Sequence, residues 1–394
     1  MKILYFCQLF YPAIYGGGEY VFFQWAKELV KRGHKVFTIT QRLVGERNFE
    51  IIDGVHIYRV GPAIEYKGTL PPNIFENFGY VISAITKGII LIAKKKIDII
   101  HSNTYAPALA GQVCAIISKK PHIITIHDVY SLVGEEFWNK WASQACAMNP
   151  VAKIGPLVEK LVLELPATVF HTVSKTSKND LYLCGLKRVK VIYNGIDLQD
   201  FDSINSREVD PHQAIFIGRL VFYKNLDTII KCMKRVVTKI PDSRLIVVGD
   251  GPMRPSMEKL VKDLGLTENV IFKGRVSHEE KVKLLKKSSF LVLPSLVEGF
   301  GIVLLEAFAC YKPVLVSAVR PLTEIIDDGI DGYCIPPFDV DAWASKMIEL
   351  FCDFNTARKM GVSAREKLER KFTIQKTVDV LEKLYYEFMH TQSV

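Results

Sequence analysis

Residues 290–306 read Phe290-Leu-Val-Leu-Pro-Ser-Leu-Val-Glu298-Gly299-Phe300-Gly301-Ile-Val-Leu-Leu-Glu306, and their pattern decides the fold. Phe290–Leu293 is a short apolar run closed by Pro294-Ser295, which predicts a buried strand. The apolar pattern restarts after Gly301 at helical length. A strand that passes through a glycine loop into a helix is one step of a βαβ unit, and open parallel sheets bind ligands beyond the carboxyl ends of their strands. Glu298 therefore falls in a ligand-side loop. Gly299 and Gly301 free backbone amides at a helix start, and Glu306 lies about one turn into that helix. Two carboxylates near a helix N-terminus also offset its dipole. The glycines and the position after a strand favour a site.

These glutamates are not a hydrolase pair. A fully helical path between Glu298 and Glu306 would separate them by ~12 Å, whereas hydrolase carboxylates stand ~5–5.5 or ~6.5–9.5 Å apart.

The same alternation runs outward from this stretch. Strand-like runs in the first half are Ile3–Phe6, Val36–Thr40, Ile97–His101, Ile123–His127, Val169–Val173 and Val189–Tyr193. Glu19–Arg32 carries Val21, Phe22, Trp25, Ala26, Leu29 and Val30 on one helical face, and Gly33 stops it. The pattern pauses in the polar stretch 197–213, then resumes with Ala214–Ile217, Leu245–Val248, Val270–Phe272 and Val314–Val316. The reading is two α/β domains with parallel sheets, 1–205 and 206–372, the length of 394 residues fitting two domains. A last helix over about 373–394 is placed to cross back onto the first domain.

Bulk properties narrow the function. Lysine and arginine exceed acidic residues by 51 to 42, a net charge of +9 that favours anionic partners. No basic helix or aromatic-basic strand pattern marks a nucleic-acid module. The cysteines Cys7, Cys114, Cys146, Cys184, Cys232, Cys310, Cys334 and Cys352 show no CxxC spacing and are read as reduced, in a cytoplasmic protein. Met1–Phe10 reads as a strand and not a signal peptide. Phe78–Ala93 is apolar apart from Lys87 and is followed by Lys94, Lys95 and Lys96. It is short of the ~20 apolar residues of a spanning helix, so it is read as a buried crossover helix, with its lysines placed to lie near anionic lipid.

Two further clusters point at anions. Gly16-Gly17-Gly18-Glu19 opens a helix after the first strand, which a tight turn explains equally well. A dinucleotide fingerprint fails, because Val21 and Arg254 stand where third glycines are needed and Thr40-Gln41 supplies no acidic ribose ligand. Gly218-Arg219 follows a strand and Lys224 precedes a helix, a spacing that suits a pyrophosphate.

With these residues in view, the chain resembles the retaining glycosyltransferases of family 4. The resemblance runs through Gly17-Gly18-Glu19, Arg32-Gly33-His34, His127-Asp128, Ser174, Asn194-Gly195-Ile196-Asp197, Gly218-Arg219-Leu220 with Lys224-Asn225, Gly249-x-Gly251-Pro252, Gly274-x-Val276, Glu298-Gly299-Phe300-Gly301, Glu306-Ala307, and Asp331-Gly332 near Pro336-Pro337. It implies the GT-B fold, two Rossmann-like domains facing across a cleft, and transfer of a hexose from a UDP- or GDP-sugar with retention. It also implies roles. Arg219 and Lys224 hold the donor diphosphate. Glu306 binds the ribose. Glu298, with the Phe300 and Gly301 amides, binds the donor sugar and β-phosphate. Val276 meets the base, Gly17, Gly18 and Gly251 belong to the donor-binding set, and His127 lies near the reacting carbon.

No cofactor or metal is then expected, since cations and amides at the leaving phosphates carry the largest share of catalysis. Asp200-Phe-Asp202 and Asp339-Val-Asp341 are read as structural. The chain departs from the family at Ala318–Glu324, where a glycine-rich turn is common, and at Tyr311, where glycine commonly precedes Lys-Pro. Bulky residues in 130–166 (Phe137, Trp138, Trp141, Met148, Leu157 and Leu161) are read either as an ordinary core or as an apolar lip. The lip would face a sugar or lipid-linked acceptor, in an enzyme peripheral to the inner, anionic face of the membrane. A nucleotide-sugar epimerase and a non-catalytic glycosyltransferase subunit stay as rival readings.

Overall fold

The alternation in the first half becomes an eight-stranded sheet: β1 (Lys2–Phe6), β2 (Lys35–Leu43), β3 (Phe49–Ile52), β4 (Val55–Ile64), β5 (Ile99–Ser102), β6 (His122–Ile126), β7 (Val169–Thr172) and β8 (Val189–Val191). These belong to a computed structural model that describes residues 1–14, 16–66, 74–144, 150–205 and 208–390. The strand order is β3-β4-β2-β1-β5-β6-β7-β8. Residues of β5, β6 and β7 are buried throughout, as expected of parallel strands covered on both faces.

The sheet is parallel as expected, apart from one edge hairpin that the sequence reading missed, where β3 and β4 pair antiparallel. Asp53 (φ 49°) and Gly54 (φ 78°) turn this hairpin, both left-handed as a type I′ turn requires.

Helix α1 (Gly17–Lys31) buries Val21, Phe22, Trp25, Ala26 and Leu29, as its periodicity demands. Gly33 (φ 86°) ends it, its amide donating to Val30 O at 2.9 Å while the His34 amide reaches Leu29 O at 3.0 Å. Helix α2 (Ile74–Lys95) connects β4 to β5, and α3 (Ala106–Ser118) connects β5 to β6. Both pack on one face of the sheet, in a core with Leu4, Phe6, Phe37 and Ile39. The expectation of a buried α2 is corrected. The helix is longer than the sequence pattern implied, and only 28% of its apolar window is buried.

The C-terminal helix Ile374–His390 belongs to this first unit. Arg32 donates to Asp379 at 2.7 Å and to Glu382 at 3.2 Å. Deeper in, the Tyr385 hydroxyl meets His101 Nδ1 at 2.6 Å and the Tyr5 hydroxyl at 3.0 Å.

The second half forms a six-stranded sheet of β9 (Gln213–Ile217), β10 (Arg244–Val248), β11 (Val270–Gly274), β12 (Phe290–Leu293), β13 (Val314–Ser317) and β14 (Gly332–Ile335), ordered β11-β10-β9-β12-β13-β14. Every pairing in it is parallel. Strand β14 was not anticipated. Phe216, Met233, Leu245, Val292 and Trp343 lie in its core.

The units are Met1–Gly195 with Ile374–Val394, and Ile196–Thr373. The first was expected to run to residue 205, and the physical reason for the earlier boundary is clear. The Ile196 amide donates to Phe372 O at 3.1 Å, and the helix Gln199–Asp202 is held by Arg365, whose guanidinium reaches both Asp202 oxygens at 2.8 Å.

Candidate functional site

Chain order places the candidate residues before any side chain is considered. In the second unit β9 is followed by β10 and β11 on one side, and β12 starts the return on the other. Strands β9 and β12 are neighbours, so their carboxyl ends form the topological switch point where ligands of such sheets bind. Gly218, Arg219 and Lys224 follow β9, and Ser295 and Glu298 follow β12.

The two loops are tied together. The Leu296 amide donates to Tyr223 O at 2.7 Å, and Lys224 forms an ion pair with Glu298. Ser295 Oγ donates to the same Glu298 Oε1 at 2.8 Å, and Arg219 donates to the Tyr223 hydroxyl at 2.9 Å. The side chains of Lys224 and Glu298 are only 14% and 10% exposed, so solvent screens this pair weakly. The glycines have steric reasons. Gly249 (φ 130°) donates to Gly274 O at 2.8 Å, and a Cβ on it would lie 1.9 Å from Gly218 O.

Gly301 (φ 79°) caps the helix Ile302–Ala309, a left-handed position that suits glycine. Phe300 is buried beside it. Glu306 is buried in that helix, and Lys281 Nζ donates to its Oε1 at 2.6 Å. Val276 lies partly exposed between β11 and the helix His278–Lys287.

In the first unit the switch point falls between β1 and β5. Gly17 and Gly18 open α1 after β1, and Asn103 follows β5. A Cβ on Gly18 would lie 3.4 Å from both Asn103 Nδ2 and His127 Nε2, so the three gather at the strand ends. His127 keeps part of its surface open, but its Nε2 is enclosed with no hydrogen-bond partner among the described residues. Burial lowers its pKa, which keeps the imidazole neutral at pH 7.

The two Asp-x-Asp strings have structural partners. Asp202 holds Arg365, and Asp339 caps the helix Val340–Cys352 by accepting from the Ala342 amide at 2.9 Å. Among the described residues, no three His, Cys, Asp or Glu side chains converge as a metal site would require. The seven described cysteines are free; Cys146 lies outside the described residues.

Comparison with known proteins gives these clusters a family. The profile for "Glycosyltransferase Family 4" matches residues 15–200, and that for "Glycosyl transferases group 1" matches residues 199–367. An uncharacterised glycosyltransferase of Methanocaldococcus jannaschii is 30% identical over 332 residues, spanning 82% of this chain and 86% of its own. The chain belongs to the group 1 glycosyltransferases. Two solved structures share its fold. Sucrose-phosphate synthase from Thermosynechococcus elongatus has a TM-score of 0.83 at 22% identity, covering 99% of each chain. Anabaena HepE in complex with UDP-glucose has a TM-score of 0.74 at 18% identity, covering 98% of this chain and 100% of its own. The glycosyltransferase therefore has the GT-B fold of two α/β domains.

Sequence reasoning missed several neighbours of the site in this glycosyltransferase. Ser295, Tyr223 and Asn103 could have been found from their positions just after or beside strand ends. Lys281 gave no such signal. It sits on a helix whose sequence, His278–Lys287, reads as an ordinary solvated face, and only the fold brings it to Glu306.

Gly251 has a steric reason as well: a Cβ there would lie 2.4 Å from Leu220 O. Gly251→Ala is expected to destabilise the second unit by about 1–3 kcal/mol through overpacking. An unchanged urea midpoint for that variant would contradict this steric reading.

The bulky residues of 130–166 divide between core and surface. Phe137 is buried and stacks on Tyr130 at 5.1 Å, and Trp138 packs where a Cβ on Gly155 would lie 2.3 Å away. Leu157 and Leu161 are exposed, and Met148 lies outside the described residues.

Proposed function

We propose that this glycosyltransferase moves a hexose from a UDP- or GDP-sugar to a sugar or lipid-linked acceptor, with retention of configuration and without a metal. Glycolipid, lipid-linked saccharide and surface polysaccharide are the acceptor classes. It would act in the cytoplasm, peripheral to the anionic inner face of the membrane. The observation that carries the reading is the convergence of Arg219, Lys224, Glu298 and Ser295 at the β9–β12 switch point, beside a glycine-opened helix. The UDP-glucose bound by Anabaena HepE supports a nucleotide-sugar donor.

In this reading Arg219 and Lys224 neutralise charge on the departing diphosphate, the step where preorganised electrostatics act most strongly. Glu298 and the amides of Phe300 and Gly301 orient the donor sugar and β-phosphate. Glu306 accepts from the ribose hydroxyls, Val276 meets the base through its backbone, and Gly251 shapes the same loop. Gly17 and Gly18 offer amides to the diphosphate. A neutral His127 can donate to or accept from a sugar hydroxyl near the reacting carbon. The acceptor proton passes to a donor phosphate oxygen.

Lys281 adds one refinement. By holding Glu306 it keeps the carboxylate oriented for the ribose. Glu306→Ala is expected to weaken nucleotide affinity at least tenfold, about 1.4 kcal/mol, and Lys281→Met to weaken it less. A thermal-shift panel of UDP-, GDP- and ADP-sugars on the wild type and these variants tests both. A ligand at 100 times its Kd stabilises by about 2.7 kcal/mol, which is readily seen. Absence of any shift across the panel would reject the donor reading. Release of a rearranged sugar or free nucleotide without acceptor would favour the epimerase.

A further inference from the structure

Helix α2 is apolar on both of its faces, and the inner one packs within the first unit. Its inner face, with Tyr80, Ala84, Leu91 and Ile92, packs on the first sheet, and the Tyr80 hydroxyl donates to Cys7 O at 3.2 Å. Its outer face carries Phe78, Ile82, Thr86, Ile89 and Ala93, all exposed and recurring at helical spacing. Phe78 is 66% exposed and Ile82 49%. A water-facing stripe normally carries charged residues. Here its one hydroxyl, Thr86 Oγ1, donates to Ile82 O at 3.0 Å, so even that group needs no water.

Helix α3 widens the patch. It lies against α2 with Cys114 Sγ 2.7 Å from where a Cβ on Gly88 would be. Its outer residues Val113, Ile116 and Ile117 are exposed, and it shares the core that α2 covers. The two faces therefore lie on the same side of the sheet. The charge is one-sided as well: residues 74–120 contain Lys87, Lys94, Lys95, Lys96, Lys119 and Lys120 against only Glu76 and Asp98. Asp98 is occupied by the Lys2 amide at 2.7 Å. A stripe of this length, ~24 Å over about 16 residues, with cations clustered at the helix C-termini, has the form of a helix that lies in a membrane interface.

We propose that the outer face of α2 and α3 docks flat on an anionic lipid bilayer, its apolar stripe entering the acyl boundary and its lysines meeting headgroups. The inference deepens the membrane contact proposed above. It places that contact on this face, and it is independent of the donor chemistry.

The experiment is co-sedimentation with vesicles of phosphatidylcholine alone and of phosphatidylcholine with 30 mol% phosphatidylglycerol. Wild-type protein should bind the anionic vesicles, with affinity falling at least tenfold in 0.5 M salt. The exposed triple variant Phe78→Ser/Ile82→Ser/Ile89→Ser should lose at least tenfold while keeping its melting temperature and nucleotide-induced shift. Lys94→Gln/Lys95→Gln/Lys96→Gln should bind anionic vesicles more weakly and with less salt dependence. Wild-type binding that both variants retain would overturn this face while leaving a membrane contact elsewhere. No binding to either vesicle would overturn both. A dimer in lipid-free buffer that the triple variant abolishes would identify a second copy as the occupant and overturn the proposal. Loss of nucleotide shift in the wild type would instead count against the transferase reading.

Discussion

Lys224→Ala is expected to lower kcat by about 10²–10³, equivalent to about 2.7–4 kcal/mol of transition-state stabilisation. The Lys224–Glu298 pair is largely buried. A cation held in place before the sugar bond breaks costs no reorganisation when negative charge appears on the leaving phosphate. The variant has a second consequence. It leaves the Glu298 carboxylate enclosed, with Ser295 Oγ still donating to it, and removing one member of a buried pair destabilises by roughly 3–5 kcal/mol. Partial exposure of both side chains places the expected loss at the lower end. The double variant Lys224→Ala/Glu298→Gln removes the stranded charge, so it should regain most of the melting temperature and none of the turnover. Steady-state kinetics at saturating donor, alongside thermal unfolding, separate the two effects. Recovery of turnover with stability in the double variant would reduce Lys224 to a structural residue.

How much of this was legible depends on the range of the signal. The β12–loop–helix unit could be read directly, because its strand, glycines and helix follow one another within residues 290–309. The Asp53-Gly54 hairpin was equally local and was missed, although Asp-Gly between apolar residues is a strong hairpin signal. Strand β14 was missed because Gly332-Tyr-Cys-Ile335 is four residues long and begins with a glycine, which sheet pairing with β13 alone justifies. A Cβ on Gly332 would lie 2.2 Å from Val314 O. The Lys281–Glu306 pair spans two elements and left no trace in either one's periodicity. Tyr311 is the converse case. It departs from the family's glycine, yet it adopts φ 58°, the left-handed backbone that favours glycine. The Arg365 guanidinium, 5.0 Å from its ring, supplies a cation–π contact that offsets part of the strain.

Acidification from pH 7.5 to 5.5 is expected to destabilise the first unit by several kcal/mol, roughly 1 kcal/mol for each histidine that burial keeps neutral; His127 is one, and a buried network holds three more. His101 Nε2 meets Thr125 Oγ1 at 2.6 Å, that hydroxyl meets His171 Nδ1 at 2.9 Å, and His171 Nε2 meets Ile192 O at 3.2 Å. His122 lies between Gln112 Oε1 and Ser102 Oγ, both at 2.8 Å. All three rings are at most 1% exposed. Burial lowers His101 well below its ordinary range and pushes His122 and His171 down to about 3. The unfolded chain, with histidines near 6.5, therefore binds protons that the native unit refuses. Stability rises with pH wherever the unfolded state holds more protons, so it is lost as pH falls from about 6.5 towards 3. At pH 5.5 the result depends on the unfolded value alone, since all three native rings are still neutral. The second unit has only His212 and His278, neither in a buried core. Hydrogen exchange at the two pH values, corrected for intrinsic rates, should show protection falling in β1, β5, β6, β7 and the Ile374–His390 helix while the β9–β14 sheet holds. Equal losses in both units would show that carboxylates and not this histidine network govern the acid response. No loss in either would show that the network accommodates imidazolium.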